Sequence, residues 1–344
     1  EEKHVSGRFV YDGTLLACAE MLKAGITCFN DMYFFPEMAG QAAVEAGMRA
    51  ALGIISIEFP TAYASDAQDY LRKGLAMRDQ LKNEPLLSFC MAPHAPYTVS
   101  DRSFEKILTL SEQLQIPIHT HLHETAGEIR DSLRDFGMRP IARLEKLGVL
   151  GPDLIAVHAV HLDDAEIALL AQLGCSVAHC PSSNLKLASG IAPIARLAAA
   201  GINIGFGTDG AASSNDLDMF TAMRLAALLH KVASKDPRVV PARAAVGMAT
   251  IGGARALGLD AVTGSLEVGK RADLIVVGVD GARQTPLFDP ISHLVYVANG
   301  ADVQHTVVNG RVLMRNRKVL SLNQASVLAD ARAAARAVRA AVGR

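Results

Sequence analysis

The sequence predicts an α/β protein of the (β/α)8 TIM-like barrel class, and three observations lead there. Seven short apolar runs alternate with amphipathic helical stretches up to about residue 209. The runs are nearly continuous in apolar residues, as parallel strands covered on both faces are. Six of the seven end in a metal-competent or titratable residue: Asn30/Asp31, His94, His121, His158, His179 and Asp209. The C-terminal rim of a β/α barrel is where its active sites are built.

A helical stretch over about 13–23 gives way at Gly25 to ITCFND, a short β-rich run. A second helix leads into MRAALGIIS at 48–56, and residues 66–82 form an amphipathic helix. Pro85 introduces LLSFCMAPH, which ends at His94, and residues 101–115 are helical. Then comes IPIHTHLHE at 116–124. Ile116, Ile118 and Thr120 give it the composition of a buried strand, and Pro117 argues against a helix. Alternation by two places His119, His121 and His123 on one side of that strand. Three imidazoles and the Glu124 carboxylate converging there suit a metal site or a proton relay, because neutral imidazole both ligates metals and titrates near neutrality.

A helix around 139–147 precedes LIAVHAVH at 154–161; residues 163–173 are helical, CSVAHCP follows, and a helix near 192–200 leads to INIGFGTDG. Helices over 217–233 and 241–257 complete the barrel. From Val262 the pattern changes to short strands with Gly turns, in GSLEVGKRADLIVV, HLVYVANG and VQHTVVNGRVLMRNRKVL, with Asn309-Gly310 as a hairpin signal. Lys270-Arg271 is a solvated turn. The alanine-rich tail from about Ala325 carries Arg332, Arg336 and Arg339 at helical spacing, a helix suited to docking or to subunit contact in a homo-oligomer. The expected divisions are a barrel over 1–258, the C-terminal part of a small β-sandwich over 259–322, and a helix over 323–344.

A chain of 344 residues builds its core without disulfides. The five cysteines Cys18, Cys28, Cys90, Cys175 and Cys180 are odd in number and show no CxxC pair, which suits reduced thiols in a cytoplasmic protein. With 34 basic and 35 acidic residues there is no electrostatic case for nucleic acid. No apolar run is long enough to span a bilayer, and the charged first residues are not those of a signal peptide. A closed barrel of this class has eight strands. The missing one is expected upstream of Glu1, so the chain reads as part of a longer protein.

HLHE at 121–124, VHAVHLD at 157–163, HCPSSNLKL at 179–187 and GTDGAASSND at 207–216 resemble the amidohydrolase superfamily. More narrowly they resemble the branch of 5'-methylthioadenosine and S-adenosylhomocysteine deaminases. The resemblance runs from EEKHVSGRFVYDGTLLACAEML to GSLEVGKRADLIVV. It implies a metal-dependent hydrolytic deamination of an adenine nucleoside, 5'-methylthioadenosine first, with S-adenosylhomocysteine or adenosine as alternatives. Guanine deaminases and chlorotriazine hydrolases are near relatives, and a non-catalytic barrel with an incomplete metal site is the contrasting alternative.

By the same resemblance His121 and Asp209 are metal ligands, and Glu124 protonates the purine ring nitrogen. His158 polarises the attacking water, and Asp209 also accepts its proton. His94, Glu1, Glu124 and Ser213 contact substrate, while His119, His123, His161 and His179 match no such role. Phe59 and Met32 are candidates for the apolar part of the nucleoside, with core packing as the alternative for both. The implied cofactor is one Zn2+ per chain, with Fe2+ and Mn2+ compatible with the same ligands. The family's HxH pair on a first barrel strand has no counterpart here, which leaves two strong ligands where a catalytic zinc keeps three or more.

Overall fold

The structure, a computed structural model, describes residues 4–343. Helix α1 (Gly7–Ala24) starts at Ser6, whose hydroxyl caps the Phe9 N–H, and stops at Gly25 in the left-handed conformation. The alternating elements follow: β1 (Cys28–Asp31), α2 (Pro36–Ala46), β2 (Arg49–Ser56), α3 (Ala67–Leu81), β3 (Leu87–Pro93), α4 (Asp101–Leu114) and β4 (Ile118–Leu122). Next come α5 (Ala126–Phe136), α6 (Pro140–Lys146), β5 (Leu154–His158), α7 (Asp164–Gln172), β6 (Ser176–His179), α8 (Pro181–Lys186), α9 (Ile194–Ala199) and β7 (Asn203–Phe206). The seven strands form one parallel sheet in sequence order. Each of the seven strands predicted up to about residue 209 is present. Helix α5 was not predicted; Thr125 starts it by accepting from the Glu128 N–H.

Parallel pairing in register aligns the strand ends, for example Leu122 with His158 and His179 with Phe206. The residues that follow each strand therefore share one rim. Ile118 and Leu122 of β4 join the main hydrophobic cluster with Phe104, Ile107, Leu144, Ile167 and Ile194 of the covering helices. That leaves alternate positions of the same strand, His119 and His121, for the opposite side. Beyond β7 lie α10 (Ala211–Ser214), α11 (Met219–Ser234), α12 (Ala242–Gly247), a single π-helical stretch (Met248–Gly252) and α13 (Gly253–Ala256). This last helical run packs directly on β7. The Asn203 amide donates to Gly252 O at 3.0 Å, and a Cβ on Gly252 would lie 2.2 Å from the Ile204 carbonyl oxygen.

The C-terminal part comprises β8 (Leu274–Val277), α14 (Pro290–Tyr296), β9 (Val303–Val308), β10 (Arg311–Arg315), β11 (Lys318–Val319) and α15 (Gln324–Ala341). Among the described residues the strands form one antiparallel sheet of order β11-β10-β9-β8. One expectation is corrected here. HLVYV, read as a strand, belongs to α14, because Asp289 accepts from the Ile291 and Ser292 N–H groups and Pro290 presets the first helical turn.

A second cluster, with Leu15, Cys18 and Leu22 of α1 against Val303, Val308, Leu313 and Met314, joins this sheet to the barrel. A buried ion pair adds to the joint: Arg49 Nε lies 2.7 Å and Nη2 3.1 Å from the Asp273 carboxylate, with the side chains 5% and 1% exposed. Asp273 also accepts from the Asn309 N–H at 2.6 Å. No helix among the described residues is long and apolar enough to cross a membrane.

Gly252→Ala forces a methyl group against backbone and is expected to lower stability by about 1–3 kcal/mol or more. Gly247→Ala, in the same helical run with nothing within 4 Å of its added Cβ, is the control. It should be neutral or stabilising by up to about 1 kcal/mol. Urea denaturation of the two variants checks both; equal midpoints would contradict the close packing of this helix on β7.

Candidate active site

His121 is the next-to-last residue of β4, and its ring stacks on that of His158, with centroids 5.6 Å apart and planes 20° from parallel. Its Nδ1 donates to the His94 carbonyl at 2.7 Å, which leaves Nε2 with its lone pair. Burial lowers the His121 pKa and keeps the ring neutral. His158 closes β5 in the left-handed region (φ 73°) and is 1% exposed. Its Nδ1 lies 2.8 Å from the Asn184 side-chain oxygen, which can only accept, so in the neutral ring it is Nε2 that carries the lone pair. That Nε2 is 3.9 Å from Glu124 Oε2 and 4.0 Å from Asp209 Oδ2. Both separations are too long for hydrogen bonds and short enough for one oxygen atom to bridge.

Asp209, three residues past β7, also has a positive φ (59°). Its Oδ2 accepts from Ser183 Oγ and its Oδ1 from the Gly210 N–H, each at 2.7 Å. Glu124 Oε1 accepts from Ser189 Oγ at 3.3 Å. The Glu128 carboxylate underlies this corner, accepting from the N–H groups of His123 (2.9 Å) and Glu124 (2.8 Å). Burial pushes Glu128 up to about 7. Ser183, Asn184, Ser189 and Glu128, which hydrogen-bond to these side chains and their backbone, were not picked out in the sequence. The first two stand inside HCPSSNLKL, but nothing in that motif tells which strand ends its side chains reach.

The remaining predicted residues fall in several places. His94 follows β3, beside His121 (ring centroids 5.0 Å apart). The Thr98 hydroxyl donates to Ala95 O, so it accepts from His94 Nδ1 at 2.8 Å and leaves His94 Nε2 as an acceptor. Ser213 lies in the one-turn helix α10 after Asp209, half-buried. Glu1 lies outside the described residues. Phe59 is exposed on the loop after β2, and Met32 packs against the main core.

His119 shares the His121 side of β4, and its Nδ1 is 3.0 Å from the Asn30 amide nitrogen. His123 does not share that side, which corrects the three-histidine alternation. The strand ends at Leu122, His123 turns into the left-handed region (φ 55°), and its ring is buried between the Ile141 N–H (3.2 Å) and the His161 carbonyl (3.2 Å). His179, at the end of β6, pairs instead with His230 of α11, Nε2 to Nε2 at 3.0 Å.

The donors suit a divalent metal in part: a neutral imidazole nitrogen on His121, oriented by a carbonyl bonded to its other nitrogen, and the Asp209 carboxylate. Among the described residues no group of three His, Cys, Asp or Glu is arranged to hold a metal ion.

A profile of the amidohydrolase family matches residues 2–313. A Saccharophagus degradans protein named 5-methylthioadenosine/S-adenosylhomocysteine deaminase is 45% identical over 331 residues, 96% of this chain and 74% of that one. A 5'-deoxyadenosine deaminase of Methanothermobacter thermautotrophicus is 41% identical over 339 residues, 97% and 78% of the two chains. Among solved structures, an adenosine deaminase from Xanthomonas campestris with bound zinc superposes with a TM-score of 0.96 at 44% identity, covering 98% of this chain and 76% of that one. An atrazine chlorohydrolase from Arthrobacter aurescens complexed with zinc gives 0.89 at 27% identity, over 96% and 78%.

The buried imidazoles set a pH dependence. Burial lowers His94, His123 and His230 to about 4 and His119 to about 3, against 6.5 when exposed. Below pH 6.5 the unfolded chain therefore binds protons that the native chain does not, and stability falls with pH by about 1.4 kcal/mol per unit for each group. His121 and His179 are lowered by burial as well, while Asp31, raised to about 6, Glu128, Glu37 and Asp216 act in the opposite direction, four carboxylates against six imidazoles. Urea midpoints are expected to decline from pH 6.5 to pH 5; a midpoint that rises over that range would overturn this balance.

Proposed function

We propose, because this chain belongs to the amidohydrolase family, that it is a metal-dependent deaminase of adenine nucleosides, with 5'-methylthioadenosine the preferred substrate. S-adenosylhomocysteine, 5'-deoxyadenosine and adenosine are the alternatives within the same reaction. The observation that carries the reading is the meeting of Glu124, His158 and Asp209 beside His121 on one rim, from the ends of three strands. The names of the relatives support the substrate class.

Replacing the C6 amino group of adenine with oxygen adds water across the bond between C6 and the adjacent ring nitrogen, and then expels ammonia. Glu124 delivers the proton to that nitrogen. The lone pair on His158 Nε2 orients the incoming water, and Asp209 accepts its proton on the other side. His94, through its Nε2, and Ser213 are proposed to contact the nucleoside, and Glu1 to hold its sugar hydroxyls. His121 and Asp209 are the residues of this chain that would hold zinc, and the metal would supply hydroxide near neutral pH when bound. The sugar and its 5' sulfur substituent contribute binding energy away from the reacting carbon.

The protein is expected to convert 5'-methylthioadenosine to 5'-methylthioinosine, followed by the ultraviolet shift of the purine. A chelator should abolish turnover and zinc should restore it. Glu124→Gln should lower kcat by about 10²- to 10⁴-fold, and Asp209→Ala should remove activity while circular dichroism stays unchanged. No turnover with any adenine nucleoside, or an active Asp209→Ala variant, would sink the proposal.

A further inference from the structure

Residues 183–189, the end of α8 and the loop after it, make three contacts with three different strand ends. Ser183 Oγ donates to Asp209 Oδ2 at 2.7 Å, Asn184 Oδ1 accepts from His158 Nδ1 at 2.8 Å, and Ser189 Oγ donates to Glu124 Oε1 at 3.3 Å. The targets sit after β7, at the end of β5 and after β4. His158 is the last residue of β5 paired in the sheet, opposite Leu122, while Glu124 and Asp209 lie past the ends of their strands, where no ladder reaches them. Side-chain hydrogen bonds are what remains to set their relative positions.

The segment is itself tied down. The Ser189 N–H donates to Asn184 O at 2.9 Å, His161 Nε2 donates to Ser189 O at 2.8 Å, and Lys186 Nζ donates to Ala212 O at 2.7 Å. Ser183, Asn184 and Ser189 are 0%, 2% and 8% exposed, so solvent does not compete for their polar atoms.

We infer that Ser183, Asn184 and Ser189 are positioning residues, one short segment that aims Asp209, His158 and Glu124 at a common point. The inference rests on reading that point as the site of deamination. Asn184 has the most specific task. Its oxygen selects the tautomer with the proton on His158 Nδ1, and so turns the Nε2 lone pair toward Glu124 and Asp209. The Asn184 amide nitrogen is buried without a hydrogen-bond partner among the described residues.

The test compares wild type, Asn184→Ala, Asn184→Asp and Ser183→Ala, by long-range proton–nitrogen NMR of the histidines and by kinetics with 5'-methylthioadenosine. The wild type should show His158 protonated on Nδ1. Asn184→Ala should give a mixture of tautomers and a kcat lower by about 10- to 100-fold with KM nearly unchanged. Asn184→Asp, which keeps an acceptor, should retain the Nδ1 proton and recover most of kcat. Ser183→Ala should lower kcat and leave the His158 tautomer alone.

A wild-type His158 protonated on Nε2, or an Asn184→Ala protein with unchanged nitrogen shifts, overturns the inference. So does an Asn184→Asp protein as impaired as Asn184→Ala. If Asn184→Ala does not fold, Asn184→Asp and the wild-type spectrum still decide. If no variant, wild type included, turns over an adenine nucleoside, the deaminase reading fails, while the nitrogen spectra still judge the role of Asn184.

Discussion

The constraint on which the rest depends is the common direction of the seven strands. Parallel pairing in sequence order sends every strand's last residue to the same rim, where backbone pairing ends and side chains take over. Three groups from chain positions 124, 158 and 209 can meet only because of that alignment. Hydrogen-bonding capacity at the rim then does what the ladder does within the sheet. Positive backbone angles at His158 and Asp209 mark where the chain is held in an unfavourable conformation by its partners.

Burial and acceptor placement together determine the chemical state of the imidazoles. Desolvation keeps His121 neutral, and an oxygen acceptor faces Nδ1 of each ring: His94 O for His121, Asn184 for His158. A neutral ring with an outward lone pair is the form that binds a metal or orients water. His123 is neutral for the same reason but turned the other way, and its nitrogens serve the backbone of Ile141 and His161. Two histidines two residues apart thus do different work because the strand ends between them.

The strands and their terminal polar residues were legible because both signals are local: apolar runs four to eight residues long, and one polar residue where each run stops. What escaped the sequence was set by contacts distant along the chain. Ser183 and Asn184 reach partners 26 residues away, and Ser189 reaches one 65 residues away. Lys270-Arg271 drew notice as a charged turn, while Asp273 beside it holds the buried partner of Arg49. HLVYV has a strand's composition, and only the Asp289-Pro290 start makes it helical.

The Arg49–Asp273 pair has a consequence for how the molecule is made. The partners lie 224 residues apart, with one at the start of the second strand and the other just ahead of the C-terminal sheet. During synthesis the barrel segment leaves the ribosome first, and its arginine waits without a counter-charge until the last quarter of the chain arrives. A guanidinium without its carboxylate cannot be sealed into an apolar joint at tolerable cost. The seam between α1, β2 and the C-terminal sheet therefore cannot be sealed by the barrel segment alone: it needs Asp273 in place beside Arg49.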